Sequence, residues 1–152
     1  SEECLRHLTE AVPRHRQLLL FSARPEATPV WLAPPDAETV RMEIPAQLRF
    51  VSLVRVAAAS LAADLDPIID DVEDLRVAVN ELAGLLVEAS DGATIAVQMW
   101  TDERTVHVSG RCNGPSSPVA PDQLTERILA ATVDSYLISD GSFRVHKRLG
   151  AD

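Results

Sequence analysis

The stretch Met42 to Leu86, MEIPAQLRFVSLVRVAAASLAADLDPIIDDVEDLRVAVNELAGLL, decides how this chain folds. A short extended pattern from Thr39 to Ile44 stops at Pro45. After it Phe50, Val54, Ala57, Leu61 and Leu65 recur at the three-to-four-residue spacing of one helix face, until Asp66-Pro67 interrupts them. A second helix is predicted from about Ile68 to Glu88, with Val72, Leu75, Val79, Leu82 and Leu86 as its apolar stripe. Asp91-Gly92 ends it.

Toward the C-terminus the period changes from helical to alternating. Ile95, Val97 and Met99 alternate with Gln98 and Trp100, and Val106 and Val108 alternate with His107 and Ser109, which predicts two half-buried strands joined at Thr101 to Arg104. Arg111 to Pro121 reads as a loop. A helix from about Asp122 carries Leu124, Ile128, Leu129 and Val133. Asp140-Gly141 then joins two further strands, Ser135 to Ser139 and Ser142 to Leu149, as a hairpin. The order strand, two helices, two strands, helix, two strands predicts a two-layer α/β sandwich, with a mixed, mostly antiparallel sheet and helices on one face. The alternation puts Gln98, Trp100, His107, Arg144, His146 and Arg148 on the other face, where an exposed Trp100 calls for a cover. The proline-rich segment or a second subunit is the expected cover.

Toward the N-terminus, Pro13, Pro25, Pro29, Pro34 and Pro35 break up any long element. Short helices are predicted over Glu2 to Val12 and Arg14 to Phe21, followed by an extended linker that holds Trp31. The chain therefore divides into a segment 1–38 and a domain 39–152.

Composition narrows the function. The 152 residues carry a net charge of -9, which disfavours binding to a phosphate backbone and suits a protein partner. No nucleic acid is expected. No apolar run, Leu18 to Phe21 included, comes near the roughly 20 residues of a membrane span. Cys4 and Cys112 stand alone, so neither a disulfide framework nor a zinc site with His7 and His15 is indicated, and the cytoplasm is the expected compartment. The acids Asp64, Asp66, Asp70, Asp71, Glu73 and Asp74 lack the spacing of a calcium loop and suit the positive end of the second helix.

The Met42 to Leu86 stretch, together with LTERILAATVDSYLISDGSFRVHKRL at Leu124 to Leu149, resembles the serine-kinase anti-sigma factors of the GHKL superfamily, which share the Bergerat ATP-binding fold. The resemblance covers roughly residues 39 to 149. It implies a glutamate base on the second helix, matched by Glu81, and four residues later a magnesium-binding asparagine. Leu85 stands there and offers no oxygen to magnesium. Asn80 leaves the helix about 100 degrees away from Glu81. Where the family places an Asp-x-Gly-x-Gly adenine-binding stretch this chain has Gly110, Cys112 and Gly114, of which only Gly114 fits. Where it places a glycine-rich phosphate loop, this chain has Pro121-Asp122-Gln123-Leu124.

The resemblance thus implies a regulatory domain that holds a sigma factor or an anti-anti-sigma-like protein, with ATP binding given up and no cofactor expected. Glu81 is then a vestigial catalytic base, and Arg111 and Gly114 are the remaining candidates for nucleotide contact. Two alternatives stand beside this reading. One is a divergent ATP- and magnesium-dependent serine kinase using Glu81. The other is a non-catalytic dimerisation or sensor module of a larger signalling protein, and a homodimer is compatible with any of the three.

Overall fold

A computed structural model describes residues 32–150 of the chain. The helices expected before Phe21, together with Trp31, Cys4, His7 and His15, lie outside the described residues. The elements are β1 (Val40–Pro45), a 3-10 turn (Leu48–Phe50), α1 (Val51–Ala63), α2 (Ile69–Ala89), β2 (Thr94–Asp102), β3 (Thr105–Asn113), α3 (Gln123–Thr132), β4 (Ser135–Ser139) and β5 (Ser142–Arg148).

The five strands form one sheet in the order β1-β2-β3-β5-β4, and every neighbouring pair is antiparallel. The mixed pairing expected from sequence is therefore corrected. Two helices between β1 and β2 return the chain to the end where β1 stopped, so β2 must run opposite to it. β4 does run parallel to β3, as a strand-helix-strand connection requires, but β5 lies between them and is antiparallel to both.

Ile95, Val97 and Met99 from β2, Val106 and Val108 from β3, and Phe143 and Val145 from β5 face the helices. The stripe of α2 packs onto them as its spacing predicts, with Leu75, Val79, Leu82 and Leu86 buried. On α1 the deepest residues are Val51, Val54, Ala58 and Ala62, whereas Phe50, Ala57, Leu61 and Leu65 pack at its flank. Alanines at the centre let α1 approach α2 closely. α3 is rotated similarly: Thr125 and Leu129 face inward and Leu124 is 66% exposed. After α1 the chain turns at Asp66, which takes a left-handed φ of 54° just before Pro67.

The acid cluster is partly neutralised in three dimensions. Lys147, the only lysine of the chain, reaches from β5 to Asp71 at 3.7 Å and Asp74 at 3.8 Å, and the Gly150 N–H donates to Asp71 at 2.7 Å. The start of α2 is thereby tied to the end of the sheet.

Candidate functional site

Glu81 and Leu85 lie one turn apart on α2 and line the same cavity, of about 440 Å³. Leu48 and Val51 close it from the start of α1, and Ala120, Asp122 and Thr125 from the approach to α3. The Thr125 hydroxyl donates to Glu81 Oε1 at 3.3 Å. Thr125 is itself placed by Asp122, the N-cap of α3, whose carboxylate accepts the Thr125 N–H at 2.8 Å. That hydrogen bond holds the Asp122 carboxyl below its usual range. Asp122, set against phosphate by its charge, thus has a local structural task. Its spacing to Thr125 is a capping signal already present in the sequence.

Glu88 adds a third carboxylate to Glu81 and Asp122, and no basic side chain is among the lining residues. Asn80 also borders the cavity, but its Oδ1 accepts a hydrogen bond from Arg55 at 3.0 Å. The segment between β3 and α3 is fastened down at its start. The Ser117 N–H donates to Ala89 at 2.7 Å, the Asp91 N–H to Pro115 at 3.1 Å, and Val119 is buried in the core. Nearby, the Cys112 thiol donates to the Leu86 carbonyl at 3.5 Å, and burial pushes its pKa up, away from thiolate chemistry.

The structure does not bring the other two candidates to Glu81. Arg111 follows Gly110 on β3, and since Gly110 faces the helices, Arg111 points to the opposite face. There it borders a separate depression with Arg41, Gln98 and Asn113. The alternation of Val106 and Val108 carries that signal. Gly114 turns the chain after β3 with a φ of 110°, beside Ala93, and does not line the Glu81 cavity. Gly110 has its own constraint: a Cβ there would stand 2.8 Å from Phe143 Cε2 and 3.3 Å from Leu86 Cδ1.

The helix-free face holds a ring cluster. Trp100 and His107 stack with centroids 5.1 Å apart, His146 tilts against His107 at 5.3 Å, and the Arg144 guanidinium stands 5.2 Å from the Trp100 ring centroid. The predicted face is right, and Trp100 on it is only 2% exposed, in keeping with the expectation that the ring is covered. Residues just before β1 reach this face, where the Ala33 N–H donates to Gln98 Oε1 at 2.9 Å. Alternation assigns a face without saying what lies upon it. Among the described residues no group of three or more His, Cys, Asp or Glu is placed to hold a metal, and no helix is long and apolar enough to cross a membrane.

No protein-family model matches the chain. Among individual proteins, it is 28% identical over 82 residues to the serine-protein kinase RsbW of Bacillus thuringiensis, covering 52% of this chain and 51% of that one. To RsbW of Halalkalibacterium halodurans it is 34% identical over 73 residues, covering 47% and 45%. Over that stretch the chain is similar to the RsbW kinases. It spans about half the length of the RsbW proteins it matches. The crystal structure of the RsbU and RsbW domains of Rv1364c from Mycobacterium tuberculosis shares its fold, with a TM-score of 0.59 at 17% identity over 75% of this chain and 33% of that one. An RsbW-like, GHKL-type α/β architecture is therefore the fold of the described domain.

Proposed function

We propose that this chain is a regulatory, protein-binding domain of the anti-sigma type, one that holds a sigma factor or an anti-anti-sigma-like partner by surface occlusion and has lost the use of MgATP. The observation that carries the reading is the lining of the Glu81 cavity, with three carboxylates and no basic side chain. Nucleotide phosphates bring several negative charges of their own, which such a lining repels. Leu85 supplies no oxygen for magnesium, and the Asn80 oxygen is turned to the Arg55 guanidinium, a positive charge that disfavours a cation beside it. The Phe143 ring fills the space that a side chain at position 110 would need, which supports the loss of the adenine-binding aspartate. The residues present do not fit MgATP, and they provide no route for phosphoryl transfer. The similarity to RsbW supports the choice of partner class.

Calorimetric titration with MgATP tests this directly. No saturable heat is expected up to millimolar nucleotide, and Leu85→Asn alone is expected not to create any, because the carboxylates remain. Micromolar binding that disappears in Glu81→Gln would instead overturn this reading.

A further inference from the structure

We propose that Asn113 is a modification site, at which the chain deamidates itself and thereby loosens β1 from the rest of the sheet. The chain has two asparagines. Asn80 is followed by Glu81 inside α2, where the helix holds each backbone N–H on the carbonyl four residues back. Asn113 is followed by Gly114, the first residue after β3. Gly114 is exposed and has no side chain to shield its nitrogen, and its N–H donates to no backbone carbonyl among the described residues.

The chemistry needs only water. The Gly114 nitrogen attacks Asn113 Cγ, its proton leaves with the side-chain nitrogen as ammonia, and a five-membered succinimide closes. Water then opens the ring at either carbonyl. One opening leaves aspartate, and the other leaves isoaspartate, in which the main chain runs through Cγ. Either product carries a new carboxylate and has lost the amide.

The consequence follows from what that amide holds. Glu43 of β1, Thr94 of β2 and Asn113 of β3 meet on the helix-free face at one end of the sheet. Asn113 Nδ2 donates to Glu43 Oε2 at 2.9 Å and to Thr94 Oγ1 at 3.0 Å, and the Thr94 hydroxyl donates to the same Glu43 oxygen at 2.6 Å. β1 is an edge strand, so this cluster ties it to both strands beside it in the sheet. A carboxylate in place of the amide has no proton to give and repels Glu43 by like charge. Isoaspartate also lengthens the main chain at the last pair of the β2-β3 ladder, Thr94 with Asn113.

The test is made on the full chain in two arms. In the first, the protein is held at mildly alkaline pH and physiological temperature, and digested at intervals for mass spectrometry. The peptide carrying Asn113 is expected to gain the mass difference between amide and acid and to contain isoaspartate, while Asn80 stays intact. An Asn113 amide that persists in the folded chain over the time in which the urea-unfolded chain loses its own would overturn the proposal. In the second arm, amide hydrogen exchange is followed at Met42 and Ile44, whose N–H groups point to β2 as that of Ala46 does to Ala93. Asn113→Asp is expected to speed their exchange about tenfold, the worth of a hydrogen bond to a charged group, with Leu82 in α2 unchanged. Adding Glu43→Gln puts a donor opposite the new carboxylate and is expected to return exchange to near the wild-type rate. Unchanged exchange in Asn113→Asp, or a double variant that does not recover, would equally overturn the proposal.

Discussion

Replacing Phe143 by Ala is expected to lower the unfolding free energy by about 3–5 kcal/mol, the largest effect of any single truncation in this core. Phe143 is 1% exposed and sits on β5 directly opposite Gly110 of β3, under Leu86 of α2. Its removal takes away the transfer energy of the ring and leaves a cavity that β5, hydrogen-bonded to β3 on one side and β4 on the other, cannot readily close. For a domain of this size the midpoint of thermal unfolding should fall by on the order of ten degrees. A specific coupling accompanies the loss. Gly110→Ala in the wild type is expected to cost about 1–3 kcal/mol, because the new methyl meets Phe143 at 2.8 Å. In the Phe143→Ala background the same substitution should cost nearly nothing. Denaturant unfolding of the four proteins measures the cycle, and additive costs would show that the ring does not fill the space beside Gly110.

The second large effect is with pH. Burial, with His146 and Arg144 close by, lowers the His107 pKa from 6.5 to about 3. Its Nδ1 is buried with no hydrogen-bond partner among the described residues. The unfolded chain takes up a proton near pH 6.5 and the folded chain does not, so stability is full above that pH and declines as the pH falls toward 3. At about 1.4 kcal/mol per pH unit, roughly 2 kcal/mol should be lost between pH 7 and pH 5. Carboxylates contribute their own slope, so the diagnostic is a comparison with His107→Phe, which keeps a ring against Trp100 and cannot be protonated. That variant should lose about 2 kcal/mol less over the same interval. Equal losses in the two proteins would mean that His107 is charged, or solvated, in the folded state.

The candidate site is legible in the sequence in part, for identifiable reasons. Glu81 and Leu85 are four residues apart on one helix, and local periodicity is enough to bring them to one cavity. Arg111 stands at the start of a stretch whose glycine and prolines read as a loop, yet it still belongs to β3. The alternation that begins at Val106, continued two residues past Ser109, assigns Arg111 to the face away from Glu81. The charge of Asp122 argues against phosphate, while its distance from Thr125 is that of a cap to the N–H it accepts. Lys147 carries no local signal at all, and its contacts with Asp71 and Asp74 span elements more than seventy residues apart. No pattern among near neighbours announces such a pair.

The sequence by itself determined the elements and their order, because helical and strand periods, Pro45, Asp66-Pro67 and Asp140-Gly141 act over a few residues at a time. It also determined which side chains share a sheet face. Tertiary structure decided the rest. It inserted β5 between β3 and β4 and so made the sheet wholly antiparallel. It also turned α1 and α3 so that Ala58 and Thr125, rather than Ala57 and Leu124, face inward. The helix-free face was closed over Trp100, and three carboxylates from α2 and the start of α3 were gathered around one cavity. These outcomes depend on how close two elements can pack and on what lies across from them, and neither quantity is encoded in the neighbours of any one residue.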